Sequence, residues 1–170
     1  MKSILMILAP SDFRDEEYLH PRKVWEDAGW EVRTASSSEH SVGRFGEQVD
    51  NDFLLTQVET EEFDAIFFVG GGGCLQYSEN ATAKKLAKKF LSDAKLVGAI
   101  CAAPRLFLKW GILSGKNFTG WNGDNALEGL GNVAGAHYTG EEVTIDGLIV
   151  TGDGPESAEK MGKIFMKGVK

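Results

Sequence analysis

The sequence predicts an α/β fold: a doubly wound, mostly parallel sheet with helices packed on both faces. Three observations carry that expectation. Continuously apolar runs at 3–9, 64–69 and 96–101 alternate with amphipathic helical segments, the pattern of parallel strands buried on both faces. Four consecutive glycines, Gly70 to Gly73, follow one of these runs directly. Cys101 ends another and is followed at once by a helical pattern with Pro104 near its first turn, so it should sit on a sharp strand-to-helix turn.

The elements follow in order. The run 3–9 is a first buried strand, ended by Pro10 and the acidic cluster Asp12 to Glu17. From about Asp15 the apolar positions Tyr18, Leu19, Val24, Trp25 and Ala28 have helical spacing and stop at Gly29. Trp30 to Ala35 alternates and completes a right-handed βαβ crossover. Residues 36–60 are polar with weak strand signals at 42–45 and 47–49, which points to a small hairpin or excursion. Asp64 to Val69 is a third core strand. Glu79 to Asp93 is an amphipathic helix with Lys84, Lys85, Lys88 and Lys89 on its solvated face. The strand 96–101 and its helix 103–110 come next, then a short strand at Asn117 to Thr119 and an irregular segment 120–125. Val143 to Ile145 and Leu148 to Thr151 flank the turn Asp146-Gly147, a hairpin signal. Pro155 to Val169 closes the chain as an amphipathic helix.

At 170 residues and 42% hydrophobic content the chain fits one domain, residues 1–170, because such lengths bury roughly 70% of the unfolded surface. The formal net charge is −7, so neither nucleic acid nor an anionic membrane is an expected partner. Two cysteines, Cys74 and Cys101, make no disulfide framework, and the three histidines are too scattered for a metal site. A reducing cytoplasm is the default location, with no metal and no cofactor expected. No apolar run approaches the roughly 20 residues of a membrane helix.

Cys101 is the candidate nucleophile. A helix N-terminus behind the sulfur supplies partial positive charge and free N–H groups, which lower a thiol pKa and can hold a developing anion. On these residues alone, a packed structural cysteine is an equal alternative. In an open α/β sheet the loops after the first strand, the glycine strand and the elbow strand all leave the carboxyl edge, so Glu17, Gly71 and Cys101 can converge there. Two adjacent anions would repel. A Glu17 that keeps its proton can instead donate to the sulfur; the alternative is a solvated carboxylate in an acidic run.

Four ordered segments resemble the ThiJ/PfpI superfamily over nearly the whole chain. They are Glu16-Glu17-Tyr18-Leu19-His20-Pro21, Phe63-Asp64-Ala65-Ile66-Phe67-Phe68-Val69-Gly70-Gly71, Ala99-Ile100-Cys101-Ala102-Ala103-Pro104 and Asp146-Gly147-Leu148-Ile149-Val150-Thr151. The resemblance implies a flavodoxin-like sandwich and a homodimer, with Trp25, Trp30 and the 40–60 excursion as candidate interface elements. It carries the nucleophile over to Cys101, the acidic partner to Glu17, and a backbone oxyanion pocket to Gly71 and Ala102. It also implies action on small reactive carbonyls or their protein adducts. The alternatives are a redox sensor or stress chaperone acting through oxidised Cys101 and, more weakly, a protease or amidase.

The departures narrow this reading. Hydrolase-like relatives carry a His directly after the nucleophile, where this chain has Ala102, and Trp121 stands where glyoxalase-like members place a His. The nearest resemblance is to the bacterial branch with Ala-Ala-Pro after the cysteine, associated with protein repair and chaperone-like activity. Other candidates for the pocket are Gly70, His20 on the acidic loop, Cys74 as a resolving thiol or a plain turn residue, and Asp153, which would disfavour an anionic ligand. His137 reads as a scaffold residue.

Overall fold

The computed structural model describes residues 1–170. Its elements are β1 (Ser3–Ile7), β2 (Ser11–Phe13), α1 (Asp15–Asp27), β3 (Glu31–Ser36), β4 (His40–Gly43), β5 (Gln48–Asp50), β6 (Phe53–Leu54), β7 (Ala65–Phe68), α2 (Ala81–Ser92), β8 (Leu96–Ile100), α3 (Pro104–Lys109), β9 (Asn117–Phe118), α4 (Leu127–Ala134), β10 (His137–Tyr138), β11 (Val143–Asp146), β12 (Ile149–Gly152) and α5 (Ala158–Gly168).

Seven strands form the main sheet in the order β11-β12-β8-β7-β1-β3-β6. Every pairing in it is parallel except β11 with β12, which close the Asp146-Gly147 hairpin. From β1 the chain first runs to β3 and β6 on one side and then returns to β7 on the other. The switch point thus lies between β1 and β7, where such sheets open a crevice at their carboxyl edge. The 40–50 excursion is a hairpin, β4 with β5, to which β2 adds in parallel.

Side-chain alternation along the buried strands divides the core between the two faces. Leu5, Ile7, Ile66 and Phe68 pack under α2 and α3, whereas Ile4, Met6, Ala65 and Phe67 pack under α1 and α5. On the second face the rings of Trp25, Phe67 and Phe165 lie with centroids 5.3 to 5.6 Å apart. Deleting one such buried ring costs about 3–5 kcal/mol. Trp25 is fully buried and its Nε1–H donates to the Gly162 carbonyl at 2.9 Å. It is therefore a core residue, which corrects its assignment as an interface element.

Helix α1 contains Pro21, buried against Gly162 of α5, whose Cβ, if it had one, would lie 3.0 Å from Pro21 Cα. A proline has no N–H, so the Glu17 carbonyl four residues earlier lacks its helical donor. Helix α4 had no counterpart in the sequence reading. Its stretch LEGLGNVA carries two glycines in eight residues and buries only Leu127 and Gly131. No helix is long and apolar enough to cross a membrane.

Candidate active site

The site is assembled at the switch-point crevice from three strand ends. Cys101 follows β8 with φ +61°, a left-handed conformation that costs a non-glycine residue about 1 kcal/mol. The backbone holds it there from both sides. Its N–H donates to the Gly152 carbonyl at 2.9 Å, and its carbonyl accepts the Trp121 N–H at 2.8 Å. The residue is partly exposed and opens into a cleft of about 460 Å³ lined by Arg14, Arg44, Gly71, Ala102, Arg105 and Trp121, among others. A groove of about 570 Å³ lies at the opposite, amino-terminal edge of the sheet, lined by Leu96, Ile145, Leu148 and Lys167. It is lined by no cysteine, histidine or carboxylate side chain.

Glu17 lies in the first turn of α1 with its side chain fully buried beside Cys101. Gly70 makes that approach possible: a Cβ there would overlap Glu17 Oε2 and lie 2.7 Å from Cys101 Cβ. Gly71, at φ +92°, brings its backbone against Asp12 and Arg14, where any side chain would collide.

Neither oxygen of Glu17 meets a partner in hydrogen-bond geometry. Burial is the dominant influence and pushes the carboxyl up to about 8, opposed in part by the Cys101 thiol, the Arg14 charge and the Gly70 N–H. Glu17 is therefore mostly neutral at pH 7. Burial also pushes the Cys101 thiol up, and a charge on Glu17 pushes it further, to about 12. The N–H groups of Gly71 and Ala102 act on the sulfur in the opposite sense. This corrects the expectation of a lowered thiol pKa. Helix α3 behind the sulfur has only six residues, too little dipole to outweigh burial beside a carboxyl. The two groups behave as one acid: losing a proton from either makes the other harder to ionise.

The structure sorts the remaining expected residues. Cys101, Gly71, Ala102 and Trp121 line the cleft, while Gly70 and Glu17 sit directly behind Cys101. Cys74 does not line it. It is 2% exposed inside the apolar cluster beneath α2 and α3, and burial drives its thiol far above the ordinary range, so of the two readings the structure fits the packed turn residue and not the resolving thiol. His20 is exposed on α1 and bears on Glu159 of α5. Asp153 donates its N–H to the Glu142 carbonyl and its charge bears on Lys160. Both lie outside the cleft, because α1 and the loop after β12 turn these side chains toward α5. His137 is exposed in β10, and no imidazole lines the cleft.

Three arginines were missed. Arg14 Nε pairs with Glu16 at 2.8 Å, and its guanidinium lies 4.8 Å from the Phe45 ring centroid. Arg105 pairs with Asp124 at 2.7 Å and lies over Trp121 at 5.4 Å. Arg44 leads the turn between β4 and β5. Arg105, one residue past Pro104, and Arg14, three before Glu17, were findable by spacing from the candidate pair; Arg44 carried no such signal.

Comparison with known proteins places this architecture. The DJ-1/PfpI family model matches residues 2–168. A Pyrococcus abyssi protein named a deglycase is 30% identical over 169 residues, covering 98% of this chain and 99% of its own. A Bacillus subtilis protein with a provisional cysteine-protease name is 30% identical over 165 residues, 96% of each chain. The crystal structure of a ThiJ/PfpI domain protein from Brachyspira murdochii superposes with a TM-score of 0.91 at 30% identity, covering 98% of this chain and 95% of that one. With its parallel sheet, its cysteine elbow and a match along almost its full length, the chain belongs to the DJ-1/PfpI family.

Proposed function

We propose that the protein acts on small reactive carbonyls or their protein adducts, in the manner of a glyoxalase or deglycase, with Cys101 as nucleophile and Glu17 as its proton partner. The observation that carries this is the pairing itself: a strained, cleft-facing thiol against a buried carboxyl that titrates near neutral pH. Cys101 Sγ adds to the carbonyl carbon and the C=O π pair moves to oxygen, which takes the proton of neutral Glu17. The proton leaving the thiol then restores Glu17. The N–H groups of Gly71 and Ala102, already directed at the sulfur, supply donors for charge that develops beside it. The deglycase name of the Pyrococcus abyssi relative supports this reading. The protease reading finds no imidazole in the cleft to serve as its base. Lactate formation from methylglyoxal by wild type, Cys101→Ser and Glu17→Gln tests the proposal. Both variants should fall by about 100-fold or more, and equal rates in all three would sink it.

A second reading rests on the unpartnered carboxyl of Glu17. With peroxide as oxidant, Cys101 is converted to a sulfinate whose oxygen accepts a hydrogen bond from neutral Glu17. Mass spectrometry after mild peroxide should find two added oxygens on Cys101 in wild type and further oxidation in Glu17→Gln. An inert Cys101 removes this reading.

A further inference from the structure

The chain carries a net charge of −7, yet three of the ten residues lining the Cys101 cleft are arginines and none is a carboxylate. Arg14 and Arg105 are balanced on their outer sides by Glu16 and Asp124. Arg105 still has a buried Nε–H that donates to nothing in the protein. Arg44 has no ion-pair partner, and it is not loose. Its N–H donates to the Phe13 carbonyl at 2.8 Å. The N–H groups of Phe45 and Glu47 in the same turn donate to the buried Asp15 carboxylate at 2.9 Å each. Gly43 completes the seat, since a Cβ there would collide with that carboxylate. The turn is therefore locked onto the start of α1, two residues from Glu17, with an unpaired guanidinium facing the nucleophile's cleft. Glu17 is buried behind Cys101 and Asp153 lies elsewhere, so neither opposes an anion in the cleft.

We infer that the cleft selects carbonyl compounds whose carboxylate is bonded directly to the reacting carbonyl carbon, the class of which glyoxylate is the smallest aldehyde, with Arg44, assisted by Arg14 and Arg105, reading the carboxylate. A planar guanidinium matches a carboxylate in two parallel hydrogen bonds. In the addition, Cys101 Sγ bonds the aldehyde carbon, the π pair moves to its oxygen, and that oxygen takes the proton leaving the thiol by way of Glu17. The carboxylate is unchanged. The inference deepens the proposed function and rests on Cys101 being its nucleophile.

Iodoacetate and iodoacetamide test it, because they differ only in charge at the carbon next to the reacting one. In either reaction the Cys101 sulfur displaces iodide, which leaves with the bonding pair, so no turnover is needed. The rate ratio of iodoacetate to iodoacetamide at Cys101, located by mass spectrometry, is referred to the same ratio for 2-mercaptoethanol. The expected normalised ratio in wild type is about 10, against the net charge of the chain. It should fall several-fold in Arg44→Ala and below 1 in Arg44→Glu, and it should shrink in 0.5 M salt. A wild-type ratio of 1 or less, or a ratio unmoved by Arg44→Glu, overturns the inference. Lactate formation from methylglyoxal uses a neutral substrate, so that assay and this one can fail independently.

Discussion

Asp15 and Glu17 stand two residues apart in the first turn of α1, both carboxylic acids and both buried, at 6% and 0% exposure. Asp15 accepts two backbone N–H bonds from the turn between β4 and β5. Glu17 accepts none in good geometry and is pushed up to about 8. Burial alone therefore does not decide what a carboxylate becomes; the donors around it do. One acid is structural cement for a loop, and the other is the proton partner proposed for Cys101.

The largest expected effect that tests this contrast is the pH dependence of stability. The folded pKa of Glu17 lies near 8 and its ordinary value is 4.5. Between those limits the folded state keeps a proton that the unfolded state has released. The stabilising contribution is thus fully present below pH 4.5 and is lost as pH rises through 8, by roughly 5 kcal/mol at most. Urea unfolding of wild type and Glu17→Gln across pH 4.5 to 8.5 should show the wild-type decline flattened in the variant. Parallel curves would mean that Glu17 ionises as an ordinary carboxyl. Next in size, Asp15→Ala strips two part-buried N–H groups of their acceptor and should cost about 3 kcal/mol in the same measurement. It should also lower the iodoacetate preference at Cys101, because Arg44 loses its seat. Smallest, Asp15→Asn keeps one carbonyl acceptor and should cost about 1 kcal/mol. A loss in Asp15→Asn equal to that in Asp15→Ala would show that charge, not acceptor geometry, fixes the turn.

Much of the fold was legible because buried parallel strands announce themselves as unbroken apolar runs, and Asp146-Gly147 announces a hairpin. The Cys101 elbow was legible for the same reason, since strand, cysteine and Pro104 are contiguous. What escaped was set by tertiary contact. Helix α4 buries too few side chains to print a period, with Gly131 fitted against Phe118. Strands β2 and β6 have three and two residues and exist through their partners. Arg44 escaped because nothing local says that a residue of a weak hairpin faces a cysteine more than fifty positions further along the chain. The thiol pKa was misjudged because helix polarity is visible in sequence and burial beside Glu17 is not.

Pro21 gives the first turn of α1 a different mechanical status from the rest of the helix. Without an N–H reaching back to the Glu17 carbonyl, that turn is tied less to its own helix and more, through Asp15, to the turn that carries Arg44. Proton carrier and charge reader then belong to one opening unit. In a hydrogen-exchange measurement the amides of residues 44–47 and of the first turn of α1 should exchange together, and a bound anion should slow both at once.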